Sequence, residues 1–107
     1  MTLLSTLLLL LTAQSATPVT LYEDCHYQGW AVPLEMFSYS GIELNALGTD
    51  YVKKNVSSIK VASGYQVTLY SRGKFNGKKL TLTGNEECLV AGGFNDRMMS
   101  IKIEPLP

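Results

Sequence analysis

Apolar residues occupy every second position along much of this chain. Val19 and Leu21, Val32 and Leu34, Ile59 and Val61, Val67 and Leu69, Leu80 and Leu82, and Ile101 and Ile103 each flank a single Thr, Lys or, once, Pro. A period of two predicts strands with one buried face and one wet face. Between these pairs lie turn formers: Gly29, Gly41, Gly48, Ser63-Gly64, Gly73, Gly77, Gly84-Asn85 and Gly92-Gly93. No stretch sustains an amphipathic helical pattern for three turns. Short strands punctuated by glycine turns predict an all-β sandwich or barrel. Pro33 cannot donate a ladder hydrogen bond, so its strand is expected at a sheet edge.

The pattern also repeats. VTLY occurs at 19–22 and again at 67–70, and each copy continues in the same way: Tyr22-x4-Tyr27-x-Gly29 and Tyr70-x4-Phe75-x-Gly77. Each then ends in Ser-Ile-Lys, at Ser58-Ile59-Lys60 and Ser100-Ile101-Lys102; the second copy is six residues shorter. Two copies of about forty residues are too few for a solenoid, which needs three or more. They suit two Greek keys that share a sandwich, each covering the other's apolar face.

An aromatic-x4-aromatic-x-Gly signature with a late Ser, twice in register, resembles the βγ-crystallin family over the whole span from Val19 to Ile103. The resemblance implies two Greek-key motifs in a two-sheet sandwich, about 18–63 and 66–104, in a domain covering 17–107. It implies folded first hairpins whose glycines, Gly29 and Gly77, take backbone shapes that a Cβ forbids. Ser58 and Ser100 would tie those hairpins down by hydrogen bonding. Tyr22 with Tyr27, and Tyr70 with Phe75, would pack as the aromatic pairs closing them. The third strand of each key would cross into the other sheet.

The first residues do not follow the strand pattern. Leu3 to Leu11 is apolar except for Ser5 and Thr6, and small residues follow before Pro18. The run is too short to span a bilayer as a helix. It fits the apolar region of a secretory signal over 1–16, with cleavage after Ser15 or Ala16. The expected product is an extracellular domain with no membrane span. The chain of 107 residues carries nine basic and nine acidic side chains, no net charge, and no basic stripe of the kind nucleic acid requires. The acids slightly outnumber the bases before residue 66 and the reverse holds after it, a weak attraction at most between exposed charges.

Catalysis has little to draw on. His26 is the only histidine, and the two cysteines make no zinc spacing with it. Glu23-Asp24 and Glu86-Glu87 are adjacent acids that point to opposite faces of a strand, and Gly92-Gly93 precedes no helix that would cradle a phosphate. No enzyme and no required cofactor are therefore expected. Lys53-Lys54 and Lys78-Lys79 read as surface charge.

Calcium is the one cofactor that the resemblance raises. The stretch before each last strand in βγ-crystallins often reads Asn/Asp-Asn/Asp-x-x-Ser/Thr-Ser and binds Ca²⁺, a hard ion that takes six to eight oxygens. The second copy here keeps Asn95-Asp96 but has Met99 where the hydroxyl belongs; the first keeps Ser57 but has Lys53-Lys54 where acids or amides belong. If hydroxyl and acid come from opposite loops, Ser57 with Asp96 leaves at most one weak site, and Met99 with Lys54 spoils the other. By parity with Ile101 and Ile103, Met99 is also expected to cap the core.

Cys25 and Cys88 in a small secreted domain favour a disulfide. The strand exchange that the resemblance implies would lay Cys88 beside the hairpin holding Cys25; the alternative is two separate thiols. Asn55-Val56-Ser57 is a sequon, so Asn55 is a glycan acceptor by motif, although its place just before a core strand opposes occupancy.

The leading functional reading is a secreted, non-enzymatic protein with a structural or interaction role, its partner an extracellular protein or glycan. The rival is a small secreted effector, a protease inhibitor or toxin-like defence protein, using the long apolar stretch 36–52. Exposed Trp30, Tyr39 and Tyr51 would suit a third reading, carbohydrate binding. Cleavage predicts that the exported protein begins at Ala16 or Thr17; mass spectrometry checks this, and an intact Met1 on the exported form contradicts it.

Overall fold

The computed structural model describes residues 17–35, 37–47 and 55–107. The expected signal segment and Lys53-Lys54 lie outside the described residues. Seven strands are found among those described: β1 (Val19–Asp24), β2 (Gln28–Leu34), β3 (Ser38–Tyr39), β4 (Ser58–Val61), β5 (Tyr65–Tyr70), β6 (Lys79–Leu82) and β7 (Ser100–Pro105). They make two antiparallel sheets, ordered β2-β1-β4 and β3-β7-β5-β6.

The alternation seen in the sequence is the alternation of burial. Val19 and Leu21 on β1, and Val67 and Leu69 on β5, are fully buried, while the residues between them are partly exposed. Ile59, Ile101 and Ile103 join them, so the two inner faces form one core. Each such aliphatic side chain contributes roughly 1.5–3 kcal/mol on burial.

The two halves have matching registers. Leu21 faces Val32 on one side and Ile59 on the other; Leu69 faces Leu80 and Ile101. The third segments cross over. Strand β3 of the first half pairs with β7, Tyr39 opposite Ile101, and Glu86 of the second half bridges to Ile59 on β4. The chain is therefore an all-β sandwich of two Greek keys, each supplying a segment to the other's sheet. Pro33 lies on β2, an edge strand, opposite Thr20.

Two local features depart from the sequence expectations. Ser40 caps a five-residue helix, α1 (Gly41–Asn45), in a reciprocal box: Glu43 N donates to Ser40 Oγ at 3.2 Å, and Ser40 N donates to Glu43 Oε1 at 2.9 Å. A helix this short shows no periodicity, and its only trace was Ser-x-x-Glu. Met99 is not the core cap. Met98 is fully buried and Met99 only partly so, because β7 begins at Ser100 and strand parity does not extend into the turn before it.

Each first hairpin is locked by a serine from its own last strand. The Ser58 hydroxyl donates to the Asp24 carbonyl and accepts from Tyr27 N at 3.0 Å. The Ser100 hydroxyl does the same with the Arg72 carbonyl and Phe75 N, at 3.1 Å for the latter. Both serines are fully buried. The fold in the hairpin places Gly29 at φ +79° and Gly77 at φ +82°, where a Cβ on Gly29 would come within 2.7 Å of Glu23 Cβ. Tyr22 and Tyr27 stand edge to face at 5.5 Å, and Tyr70 and Phe75 at 6.0 Å. Lys60 Nζ then sits 4.9 Å from the Tyr27 ring, and Lys102 Nζ 5.2 Å from that of Phe75, so the lysine of each Ser-Ile-Lys completes the stack. Burial, and after it the carboxylates of Glu87 and Glu86, raise the Tyr27 hydroxyl above its usual pKa.

Ser100→Ala would leave the Phe75 N–H and the Arg72 carbonyl without their partner, and is expected to cost on the order of 2–3 kcal/mol. Urea unfolding checks this; a loss below about 0.5 kcal/mol, the range of an ordinary surface change, contradicts the lock.

Candidate cation site

The exchanged segment of the second key runs along β4 and delivers the next loop to the first key. Val61 N donates to Asn85 Oδ1 at 2.7 Å, Ile59 and Glu86 exchange two backbone hydrogen bonds of 2.9 and 3.0 Å, and Leu89 N donates to Ser57 O at 2.7 Å. From Leu89 the chain turns sharply, with Gly92 N and Phe94 N both donating to the Leu89 carbonyl. It returns to β4 at Asp96, whose N–H donates to Val56 O at 3.1 Å. Buried Leu89 and Phe94 hold this turn to the core. Asp96 itself is left-handed, at φ +56°, a conformation that Asp tolerates better than most residues.

The result is a pair of oxygens from opposite keys. Ser57 Oγ lies 3.4 Å from Asp96 Oδ1, while the other carboxylate oxygen accepts from Asn95 Nδ2 at 3.2 Å. Asn95 Oδ1 is buried and has no hydrogen-bond partner among the described residues. The Ser57–Asp96 separation is long for an O–H···O bond, which centres near 2.7–2.8 Å. Two oxygens each about 2.4 Å from one Ca²⁺ and at right angles about it stand roughly 3.4 Å apart. Hydroxyl and carboxylate are both hard donors, so the pair fits a hard cation.

The equivalent place in the second half lacks the hydroxyl. Ser57 N donates to Tyr22 O at 3.0 Å, and Met99 N donates to Tyr70 O at 2.8 Å, so Met99 occupies the backbone position of Ser57. Its side chain offers a thioether where Ser57 offers a hydroxyl. Lys54, the expected counterpart of Asp96, lies outside the described residues.

Beside the oxygen pair, Cys25 and Cys88 form a disulfide with Cα atoms 4.6 Å apart. It joins the 3-10 turn of the first hairpin (Cys25–Tyr27) to the exchanged segment, alongside a 2.7 Å hydrogen bond from His26 N to Glu87 O. Cys25 Sγ lies 3.9 Å from the Ser57 carbonyl oxygen.

No family model matches the chain. A βγ-crystallin domain from Clostridium beijerinckii is 36% identical, with 81% of this chain covering 97% of that one at a TM-score of 0.74. The chain belongs to the βγ-crystallin family. The N-terminal domain of protein S is 30% identical over 84% of this chain and 98% of that domain, at a TM-score of 0.76. Among curated proteins, Development-specific protein S of Myxococcus xanthus is 30% identical over 89 residues, 83% of this chain and 49% of that protein. Epidermal differentiation-specific protein of Cynops pyrrhogaster is 32% identical over 91 residues, 81% of this chain and 24% of that protein. The chain thus spans half or less of the length of these curated relatives.

Within this βγ-crystallin domain, Asn95, Asp96 and Ser57 stand together, and Asn55 is exposed just before the buried pair Val56-Ser57. The sequon hydroxyl, Ser57 Oγ, is engaged with Asp96. His26 is exposed and faces Glu87, Nδ1 to Oε1 at 3.7 Å, and the described residues hold no cluster of three His, Cys, Asp or Glu side chains fit for a metal. Of the aromatics offered for carbohydrate, Tyr39 is buried with its hydroxyl accepting from Glu35 N, and Trp30 packs partly against the core. Tyr51 lies outside the described residues. Within the described part of the stretch 36–52 that would serve an inhibitor, β3 and α1 put Tyr39 and Leu44 in the core, although Phe37 and Ile42 are exposed. Asn85, Glu86 and Leu89 were missed as positioning residues, since nothing in their local pattern marks an interrupted strand.

Replacing both cysteines by serine is expected to lower stability by up to about 4 kcal/mol, the chain-entropy value for a loop of this length, while both sheets keep their ladders and the domain still folds. Thermal unfolding followed by circular dichroism checks this; an unchanged midpoint contradicts it.

Proposed function

We propose that this chain acts as a secreted, non-enzymatic βγ-crystallin domain with a structural or interaction role, carrying one calcium site of low affinity. The observation that carries the calcium reading is the Ser57 Oγ–Asp96 Oδ1 pair at 3.4 Å, one oxygen from each key. Asn95, next in the chain, holds the other carboxylate oxygen through its amide nitrogen, and its own Oδ1 is buried without a donor among the described residues. Main-chain and water oxygens would complete the shell. In accepting the ion, the Ser57 hydroxyl turns its hydrogen away from Asp96 and both oxygens present lone pairs. With one carboxylate in the set, the expected Kd is in the weak extracellular range, about 10⁻⁴ to 10⁻³ M.

An ion so placed bridges the two halves of the sandwich, so its role is to stabilise the fold. At a free concentration ten times Kd, the gain is about 1.4 kcal/mol. The non-enzymatic role is supported by the developmental and differentiation-specific proteins among the relatives. Secretion is supported by the Leu-rich opening of the sequence and by a disulfide, which persists in oxidising compartments.

Calorimetric titration with Ca²⁺ should show one site, abolished by Asp96→Ala. Met99→Ser combined with Lys54→Asp should create a second. Two equal sites in the unaltered protein, or none, contradict this reading.

A further inference from the structure

We propose that the Cys25–Cys88 disulfide controls the Ser57–Asp96 cation site, so that the oxidised domain binds Ca²⁺ more tightly than the reduced one. The inference rests on the calcium reading above and adds to it a redox input.

The connection is short and continuous. Cys88 precedes Leu89, whose N–H is held by the Ser57 carbonyl at 2.7 Å, and the same carbonyl lies 3.9 Å from Cys25 Sγ. Leu89 also begins the turn that ends at Asp96, its carbonyl gathering Gly92 N and Phe94 N. The disulfide therefore fixes the first end of the loop that carries Asp96, and it does so against the residue that supplies the hydroxyl. The other end is joined to the first key by the Asp96 N to Val56 O bond of 3.1 Å and the Ser57–Asp96 side-chain pair. Between Glu86 and Leu89 the exchanged segment leaves β4, and there the disulfide, the His26–Glu87 backbone bond and the exposed His26–Glu87 side-chain contact at 3.7 Å join it to the first hairpin.

Opening the bridge frees Cys88 to move relative to Cys25 and loosens the register of Leu89 on Ser57. The oxygens then have to be ordered by the ion itself, and that ordering lowers affinity. The remaining hydrogen bonds and the buried Leu89 and Phe94 side chains keep the loop near its place, so a loss of about tenfold is expected, within the usual range of coupling between sites. Coupling is reciprocal: bound Ca²⁺ must make the disulfide harder to reduce by the same factor.

The redox step is ordinary thiol–disulfide exchange with a dithiol. A thiolate of the dithiol attacks one sulfur and displaces the other cysteine, giving a mixed disulfide. The second thiol of the reagent then closes its own disulfide. Two electrons and two protons pass from the dithiol to Cys25 and Cys88, which end as thiols.

The test compares Ca²⁺ titration of the oxidised protein, of the protein reduced with dithiothreitol, and of the Cys25→Ser/Cys88→Ser double variant. In parallel, the oxidised fraction is measured by alkylation and mass spectrometry across a series of reduced-to-oxidised dithiothreitol ratios, with and without saturating Ca²⁺. Both non-bridged forms should bind about tenfold more weakly. Calcium should shift the midpoint ratio about tenfold toward the reductant, roughly 30 mV, and Asp96→Ala should remove that shift. Equal affinities with an unshifted midpoint overturn the coupling and leave the calcium reading standing. No binding to the oxidised protein overturns both. Loss of the β-sheet circular dichroism signal on reduction also overturns the coupling, because the bridge would then be a staple of the whole domain.

Discussion

Neither half of this chain can cover its own apolar sheet face, and the reciprocal exchange of one segment is how each covers the other. Strand β3 leaves the first key for the edge of β7, and Glu86 leaves the second for β4. Strands need a hydrophobic face packed against something to be stable in water. The exchange makes the two sheets mutually dependent, so the sandwich is expected to unfold as one unit. It also fixes which loops meet. The segment that crosses toward β4 brings Cys88 to Cys25 and Asp96 to Ser57, contacts between residues far apart in sequence.

The folded hairpins answer a second demand of the same arrangement. A hairpin that bends over the sheet exposes backbone groups that the ladder no longer pairs, and Ser58 and Ser100 each satisfy one donor and one acceptor from a buried position. Serine is suited to this because one hydroxyl both donates and accepts. The bend in turn requires the positive φ of Gly29 and Gly77 and seats an aromatic pair beneath a lysine. One short motif therefore carries glycine, serine, aromatic and lysine together, because each is needed by the same bend.

This explains what the sequence disclosed and what it withheld. The strands were readable because β1 and β5 are half-buried, and half-burial writes itself as alternation. The repeat was readable because the bend imposes the same residue types twice. The short helix α1 was not, since a capping box leaves only Ser40 and Glu43 as a trace. The burial of Met98 in place of Met99 was misread because parity was carried back before the start of β7. The exchanged segment at 85–89 was hidden for a different reason. It touches β4 at Glu86 and the preceding Ser57 at Leu89 but departs between them, so no alternation survives there, and Asn85 replaces a ladder acceptor with its side chain. The oxygen pair was anticipated from the family resemblance, but the disulfide's contact with the Ser57 carbonyl has no sequence signature.

Symmetry in the backbone has not preserved symmetry in the chemistry. Ser57 and Met99 are held by equivalent bonds to Tyr22 and Tyr70, and Ser58 and Ser100 make equivalent locks. The locking serines match because replacing either would strand buried backbone groups in its own hairpin. Ser57 and Met99 are free of that demand, since their backbone bonds do not depend on the side chain. A thioether at 99 therefore costs the fold little while removing a hard ligand. The disulfide breaks the symmetry in the same direction, because Cys25 has Gly73 as its counterpart 48 residues on and the bridge supports only the Ser57–Asp96 side. Bridge and oxygen pair thus lie together on the half where the hydroxyl is kept. The two halves agree where a backbone constraint is shared and differ where none is, so hydroxyl, carboxylate and disulfide meet at one junction.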